Sequence, residues 1–247
     1  MAAAAQYSHR RSTVLPATVW RRVAGPGQSL IYPDGCMDLI WTGERLLLAG
    51  PDGATVRYAP GRPSTLTAIR FHPGIAPIVL GQPADQFLDA RLDLADVWPA
   101  ERVGRWLDAL HTTRHPGVVL EKLAVQRLSG SEGMPGWLAP TVGMLAAGVP
   151  IGQVADRIGA SRRQLQRRSQ WHFGYGAKTL QRILRVDGAA NLLRAGYDLS
   201  EVAYRAGFAD YSHMFRDFRD VTGEQPAAFR PAAAPDSGLE LHQPSGA

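Results

Sequence analysis

Two stretches of the chain carry the same apolar spacing. Ile151, Val154, Ala155 and Ile158 stand at i, i+3, i+4 and i+7 and are followed by Gly159. Leu199, Val202, Ala203 and Ala206 repeat the spacing 48 residues later and are followed by Gly207. Each set places one apolar face on a short helix, ended by a residue that tolerates the left-handed conformation. A turn and a second helix follow each glycine. Ser161 caps the first of these, with Gln164 three residues on to complete a capping box, and Asp210 caps the second. The second helices match at an offset of 49: Leu165 with Met214, Arg167 with Arg216, Gly174 with Gly223. Between the copies, residues 177–195 read as one long helix that buries Leu180, Ile183, Leu184, Ala190 and Leu193. Such a helix spans roughly 28 Å at ~1.5 Å per residue.

The first ninety residues follow a different pattern. Short apolar runs at 30–32, 37–41, 46–48 and 66–71 are separated by the turn signals Pro33-Asp34-Gly35, Gly50-Pro51-Asp52-Gly53, Pro60-Gly61 and Pro73-Gly74. This predicts a small sheet with tight connections. Helical spacing begins near Ala100, with Val103, Trp106, Leu107 and Leu110 on one face, and a second helix is expected over 118–128. Ser129-Gly130-Ser131-Glu132-Gly133 has linker composition. The expected class is therefore α+β: a small β-rich N-terminal domain with flanking helices, then an all-α C-terminal domain with two helix-turn-helix units joined by a long helix. The boundaries fall at 1–130, a linker at 131–136, the helical domain at 137–231, and a tail at 232–247 with little to bury, expected to be disordered.

A helix, a tight glycine turn and a second helix is the form that offers a recognition helix to the DNA major groove. With Leu165 turned inward, Arg163, Gln166, Arg167 and Gln170 fall on the outer side of the first unit. With Met214 and Phe218 inward, Tyr211, Ser212, Phe215, Arg216 and Arg219 form the accessible set of the second. Arg and Gln make bidentate contacts with guanine and adenine edges, and an aromatic ring packs on a thymine methyl. Arg162, Arg168 and Lys178 suit phosphate contacts. A spacer of 177–195 sets two recognition helices about one DNA turn, roughly 34 Å, apart.

Charge sharpens this picture. Residues 137–231 hold 13 Lys+Arg against 8 Asp+Glu, while the rest of the chain balances 14 against 14. The whole formal +5 thus lies in the segment expected to meet phosphate. A single cysteine, Cys36, rules out an internal disulfide and a Cys₄ zinc site and fits a reducing compartment. No apolar run approaches the ~18 residues of a membrane span. A soluble, cytoplasmic protein with no membrane partner is expected.

The stretch from Ile151 to Arg230 resembles the AraC/XylS-type transcriptional regulators. The resemblance is carried most strongly by 198–230, where Gly223, Pro226, Phe229 and Arg230 match the family's closing pattern of glycine, proline and an aromatic-Arg pair. It implies a sequence-specific DNA-binding regulator, with Arg163, Gln166 and Arg167 reading bases in the first unit and Ser212, Phe215 and Arg216 in the second. Two positions depart from the family: Ser169 stands where a large apolar residue is usual, and Met214 replaces a common aromatic.

The N-terminal half more faintly resembles sensor domains attached to such regulators, through 32–41 and 70–74. This implies an effector-responsive domain without identifying the effector. The expected ligand pocket lies near Asp34, Cys36, Asp38, Arg70 and His72, with Trp41 and Phe71 as apolar walls; an internal ion pair among ordinary core aromatics is the competing reading. The expected partners are double-stranded DNA carrying a promoter operator and an unknown small-molecule effector. RNA polymerase and a second copy of the chain, met through the helical segments of 100–128, are further candidates. No metal, cofactor or enzymatic activity is expected, since no nucleophile elbow, phosphate-cradling loop or HExxH motif appears. The alternatives left open are a thiol redox regulator acting through Cys36, an architectural DNA-binding protein, and a sensor domain using a Cys36–His72 pair in catalysis.

Overall fold

The computed structural model describes residues 6–24, 29–59, 64–131 and 133–231. The expected tail 232–247, the turn at Pro60-Gly61 and linker residue Glu132 lie outside the described residues.

Among the described residues eight strands are formed: β1 (Gln6–Arg11), β2 (Ala17–Ala24), β3 (Ser29–Ile31), β4 (Met37–Trp41), β5 (Leu46–Ala49), β6 (Val56–Tyr58), β7 (Ser64–Phe71) and β8 (Arg91–Asp93). Six make one antiparallel sheet in the order β1-β2-β7-β4-β5-β8, and β3 pairs with β6 as a separate ribbon. The runs at 30–32, 37–41, 46–48 and 66–71 correspond to β3, β4, β5 and β7. The other four strands go beyond the expected set. β1, Gln-Tyr-Ser-His-Arg-Arg, is a polar edge strand with no apolar alternation to announce it.

The period-two alternation of the strands gives this sheet two different faces. Met37, Leu39, Trp41, Ile69 and Phe71 point into the main core. It is closed by α1 (Ala76–Leu80), α2 (Ala100–Thr112) and α3 (Pro116–Ser129), which contribute Val79, Val103, Leu120 and Leu123. Trp20, Leu66 and Ala68 face the other way and form a second, smaller cluster with Ile40 and Tyr58. Asp38 and Arg70 share that second face by register, since they pair across β4 and β7.

Six helices make the C-terminal part: α4 (Leu138–Ala146), α5 (Ile151–Arg157), α6 (Arg162–Phe173), α7 (Ala177–Arg194), α8 (Leu199–Arg205) and α9 (Tyr211–Thr222). A 3-10 turn over Pro226–Phe229 follows. The helix expected at 177–195 is α7, with Leu180, Ile183, Ala190 and Leu193 buried as the spacing requires and Leu184 only partly so.

The two halves share one continuous apolar core. At the seam Gly74 is so close to the helical domain that a Cβ there would lie 2.7 Å from Leu138 Cδ1 and 2.8 Å from Phe173 Cε1. The Gly74 carbonyl bonds His172 Nδ1 at 3.1 Å, and the Thr55 hydroxyl donates to the Thr222 carbonyl at 2.7 Å. Tyr32 packs at a tilt against Phe229, with 4.8 Å between centroids. The N-terminal domain therefore holds both helix pairs, at the ends of α6 and α9.

Candidate functional site

Each helix pair is built as its sequence demands. Val154 and Ala155 of α5, and Val202 and Ala203 of α8, are buried. Gly159 and Gly207 follow with φ of +62° and +72°, a region that favours glycine, and so turn the chain into the second helix. The capping box is formed: the Ser161 hydroxyl accepts from the Gln164 amide at 3.2 Å, and Gln164 Oε1 accepts from the Ser161 amide at 2.8 Å. Asp210 accepts from the His213 amide at 2.6 Å, and Asp198 caps α8 by accepting from Glu201 at 2.8 Å.

The inward residues of the two second helices, Leu165, Met214 and Phe218, are buried. Arg162, Arg163, Gln166, Arg167 and Gln170 are exposed on α6; Tyr211, Ser212, Arg216 and Arg219 are exposed on α9, and Phe215 is half-buried beside Tyr211. Among the described residues, Arg163 and Arg167 have no ion-pair or side-chain hydrogen-bond partner. Arg216 donates only to its own helix, from Nε to the Ser212 carbonyl at 3.2 Å. These guanidinium groups are open to an incoming acceptor. Arg162 instead lies back over Gly152. Arg168 stacks its guanidinium over Trp137, 5.0 Å from the ring centroid, and Lys178 donates to Gln181 at 3.2 Å. Both side chains are thus engaged within the protein.

One arrangement was not legible from spacing. Asp217, on the inner side of α9 and buried, is gripped from α7 by Arg182 Nε at 2.8 Å and Arg185 Nη2 at 2.7 Å. Arg182 also pairs with Asp220, and Arg185 stacks over Phe208 at 5.0 Å. The second recognition helix is locked to the long helix by charge as well as by packing. Ser169, the departure from the family pattern in α6, is fully buried and its hydroxyl has no partner among the described residues.

The six ligand-pocket candidates separate. Asp34, Asp38 and Arg70 meet: Arg70 Nη1 pairs with Asp34 at 3.1 Å and its Nε with Asp38 at 3.3 Å. Asp38 also accepts from the Trp20 indole at 2.6 Å. Burial pushes the Asp38 pKa up against the opposing pull of Arg70 and Trp20. Trp41 and Phe71 are corrections. Strand alternation turns both to the opposite face from Asp38 and Arg70, where Trp41 packs edge-on to His111 at 4.9 Å. His72 is a correction too, for it lies exposed beyond the end of β7, its pKa lowered by partial burial and by Arg11. Cys36, half-buried, bonds through its amide to the Asp34 carboxylate. Burial, then the Asp34 carboxylate, pushes the thiol pKa well above its ordinary value, the reverse of what a reactive thiolate needs. Among the described residues no group of three or more His, Cys, Asp or Glu is placed to hold a metal ion. No helix among them is long and apolar enough to cross a membrane.

Residues 154–232 match the family described as a helix-turn-helix domain, and residues 17–93 match a domain of unknown function (DUF6597). A comparison with curated proteins found no match. Among solved structures, a ligand-free variant of ToxT from Vibrio cholerae is similar over 89% of this chain and 97% of its own, at 11% identity and a TM-score of 0.47. Wild-type ToxT from the same organism, bound to an unsaturated fatty acid, is similar over 89% of this chain and 96% of its own, at 11% identity and a TM-score of 0.46. A probable AraC family transcriptional regulator from Rhodopseudomonas palustris covers 39% of this chain and 100% of its own, at 24% identity and a TM-score of 0.34. Residues 154–232 of this chain form a helix-turn-helix DNA-binding domain, and the protein is a DNA-binding transcriptional regulator. Its double helix-turn-helix, with the two units carried on α7, is of the AraC type.

Proposed function

We propose that the protein reads two successive major-groove segments of one operator, with α6 in the first and α9 in the second, and that a small molecule acting through the N-terminal domain sets its grip. The observation that carries this reading is the pair of outward polar sets, Arg163, Gln166 and Arg167 on one helix and Ser212, Phe215 and Arg216 on the other. Their arginines have no carboxylate to satisfy them among the described residues. The two sets flank α7, whose 18 residues span roughly 27 Å at ~1.5 Å per residue, a length matched to one turn of DNA. Effector response is supported by the shared core, through which the sheet domain touches the ends of both helix pairs.

The test is site selection from a random duplex library with the full chain at near-physiological salt. A bipartite site with segments about one turn, roughly 34 Å, apart is expected. Arg167→Ala and Arg216→Ala should each relax one segment and cost about 1–3 kcal/mol of affinity, which is about 5- to 150-fold. Uniform weakening over all sequences by both variants would reduce these arginines to phosphate contacts. A single-segment site would overturn the two-groove reading.

A further inference from the structure

A cavity of about 570 Å³ opens between the second face of the sheet and α7. One wall belongs to the N-terminal domain, with Tyr7, Trp20 and Arg22 from β1 and β2, the segment from Ser29 to Tyr32, and Asp34 and Arg70. The other belongs to the DNA-binding domain, with Asp187, Asn191 and Arg194 at i, i+4 and i+7 along a single face of α7. Only Asp34 and Arg70 of this lining were legible as candidates from sequence.

The charges in the cavity do not all cancel within the protein. Arg70 is taken up by Asp34 and Asp38. Arg22 donates to the Ser29 hydroxyl, and Arg194 donates to Asn191 at 2.9 Å; neither has a carboxylate partner among the described residues. Asp187 has no cationic partner among them either and is held only by the Asn191 amide at 3.3 Å. Two guanidinium groups and one carboxylate are therefore left to be met by an occupant. The hydrogen-bonded chain Asp187–Asn191–Arg194 keeps the unpaired carboxylate and its neighbouring guanidinium at most about 8.5 Å apart, given ordinary amide dimensions. A cavity of about 570 Å³ leaves room for a molecule larger than a free α-amino acid. Tyr7 and Trp20, whose rings lie 6.2 Å apart, supply an apolar floor together with Leu30 and Ile31.

We propose that this cavity binds a small zwitterion larger than an α-amino acid, of the kind offered by a di- or tripeptide or an ω-amino acid. The ammonium sits on Asp187, the carboxylate lies between Arg194 and Arg22, and the apolar body rests on Trp20 and Tyr7. The proposal rests on the effector-responsive reading above and supplies its missing ligand chemistry. Burial, and then the facing Asp34 carboxylate, pushes the Asp187 pKa up to about 6. Occupancy would reach the DNA-binding domain directly. The Arg194 guanidinium stacks over Phe229 at 5.1 Å, and Tyr32 packs on the same ring from the sheet side.

The test is calorimetric titration of the full chain, without DNA, at pH 7.5. The probes are free di- and tripeptides with apolar side chains, four- to six-carbon ω-amino acids, and the N-acetylated and C-amidated forms of any peptide that binds. At least one free zwitterion should bind, with acetylation and amidation each weakening it tenfold or more. Peptide binding without ω-amino-acid binding assigns the peptide backbone a role; the reverse assigns charge spacing alone. Asp187→Asn should abolish the cost of acetylation, and Arg194→Gln that of amidation, because each removes the charge that the modified terminus met. No binding by any free zwitterion, or equal binding of the blocked forms, overturns the proposal. Because no DNA is present, these outcomes are independent of operator selection, so either reading can fail alone.

Discussion

Replacing Asp187 by asparagine should stabilise the unliganded protein at neutral pH and do progressively less as the pH falls. The folded-state pKa of Asp187 is about 6 against a reference of 3.8, raised first by burial and then by Asp34, with Arg194, Arg70 and Asn191 pulling the other way. An acid whose pKa is raised by folding binds its proton more tightly in the folded state. Its contribution to stability is complete below pH 3.8 and is lost as the pH climbs through about 6. The difference corresponds to about 3 kcal/mol at most, and to about 2 kcal/mol once partial solvent contact of the half-buried carboxylate is allowed for. At pH 7.5 the asparagine variant should therefore be about 2 kcal/mol more stable, a rise in Tm of about 4–8 °C for a chain of this size. At pH 4.5 wild-type Asp187 is largely protonated in the fold, and the gap should shrink to about a third of that. Urea unfolding followed by tryptophan fluorescence measures both, and the continuous core across the two halves favours one transition. The variant-minus-wild-type difference is the quantity to read, since burial also raises the pKa values of Asp38 and Asp52. A variant less stable than wild type at pH 7.5, or a gap that ignores pH, would refute the electrostatic account of this side chain.

The remaining expectations concern three other sites. Ser169→Ala removes a fully buried hydroxyl with no partner and should stabilise the first helix pair by about 1 kcal/mol, or about 2–4 °C in Tm, checked by thermal unfolding; a loss of stability would mean that the hydroxyl is bonded in solution. Asp217→Ala strands the Arg185 guanidinium in a largely enclosed position and should cost about 3 kcal/mol. In footprinting it should weaken protection of the α9 segment more than that of the α6 segment, and equal loss would argue against a local lock. Cys36 should react with iodoacetamide far more slowly in the native protein than in 6 M guanidinium chloride, as its raised pKa requires; fast native labelling would return the redox reading to contention.

The helical half was legible in detail because its signals are local. Apolar spacing, a capping box and a glycine after each scaffold helix lie within about a dozen residues of one another, and packing added nothing that contradicted them. The sheet was only half legible. Apolar strands such as β4 and β7 announce themselves, whereas β1 is polar and exists because β2 offers it an edge to pair with. The ligand candidates show the same limit more sharply. Asp38 and Trp41 are close in sequence but offset by three positions, an odd number, so once the segment is a strand they face opposite sides of the sheet. That inference needed only the strand assignment and the period of two. No such shortcut leads to Asp187, Asn191 and Arg194. They share a face of α7 by spacing, but that this face looks onto Arg22 and Trp20 is a fact of docking between the two halves, about 165 residues apart in the chain.

That docking would give the proposed effector response its physical logic. α7 is at once the spacer between the two recognition helices and one wall of the cavity, so any ligand that bridges Arg22 and Arg194 ties the sheet domain to the element that sets the separation of α6 and α9. The same domain already touches the end of α6 through Gly74 and His172, and the end of α9 through Thr55 and Thr222. A ligand can bias DNA binding only if it prefers one arrangement of these contacts over another. Asp187 supplies a reason for such a preference. Left empty, the cavity faces an unpaired carboxylate against Asp34 across the seam, which favours a looser apposition of the sheet to α7; a bound ammonium turns that repulsion into a bridge. The coupling should then act mainly on the α9 segment, because Arg194 and Tyr32 meet on Phe229 of the second unit, while α6 contacts the sheet domain at the far end of α7 from these residues.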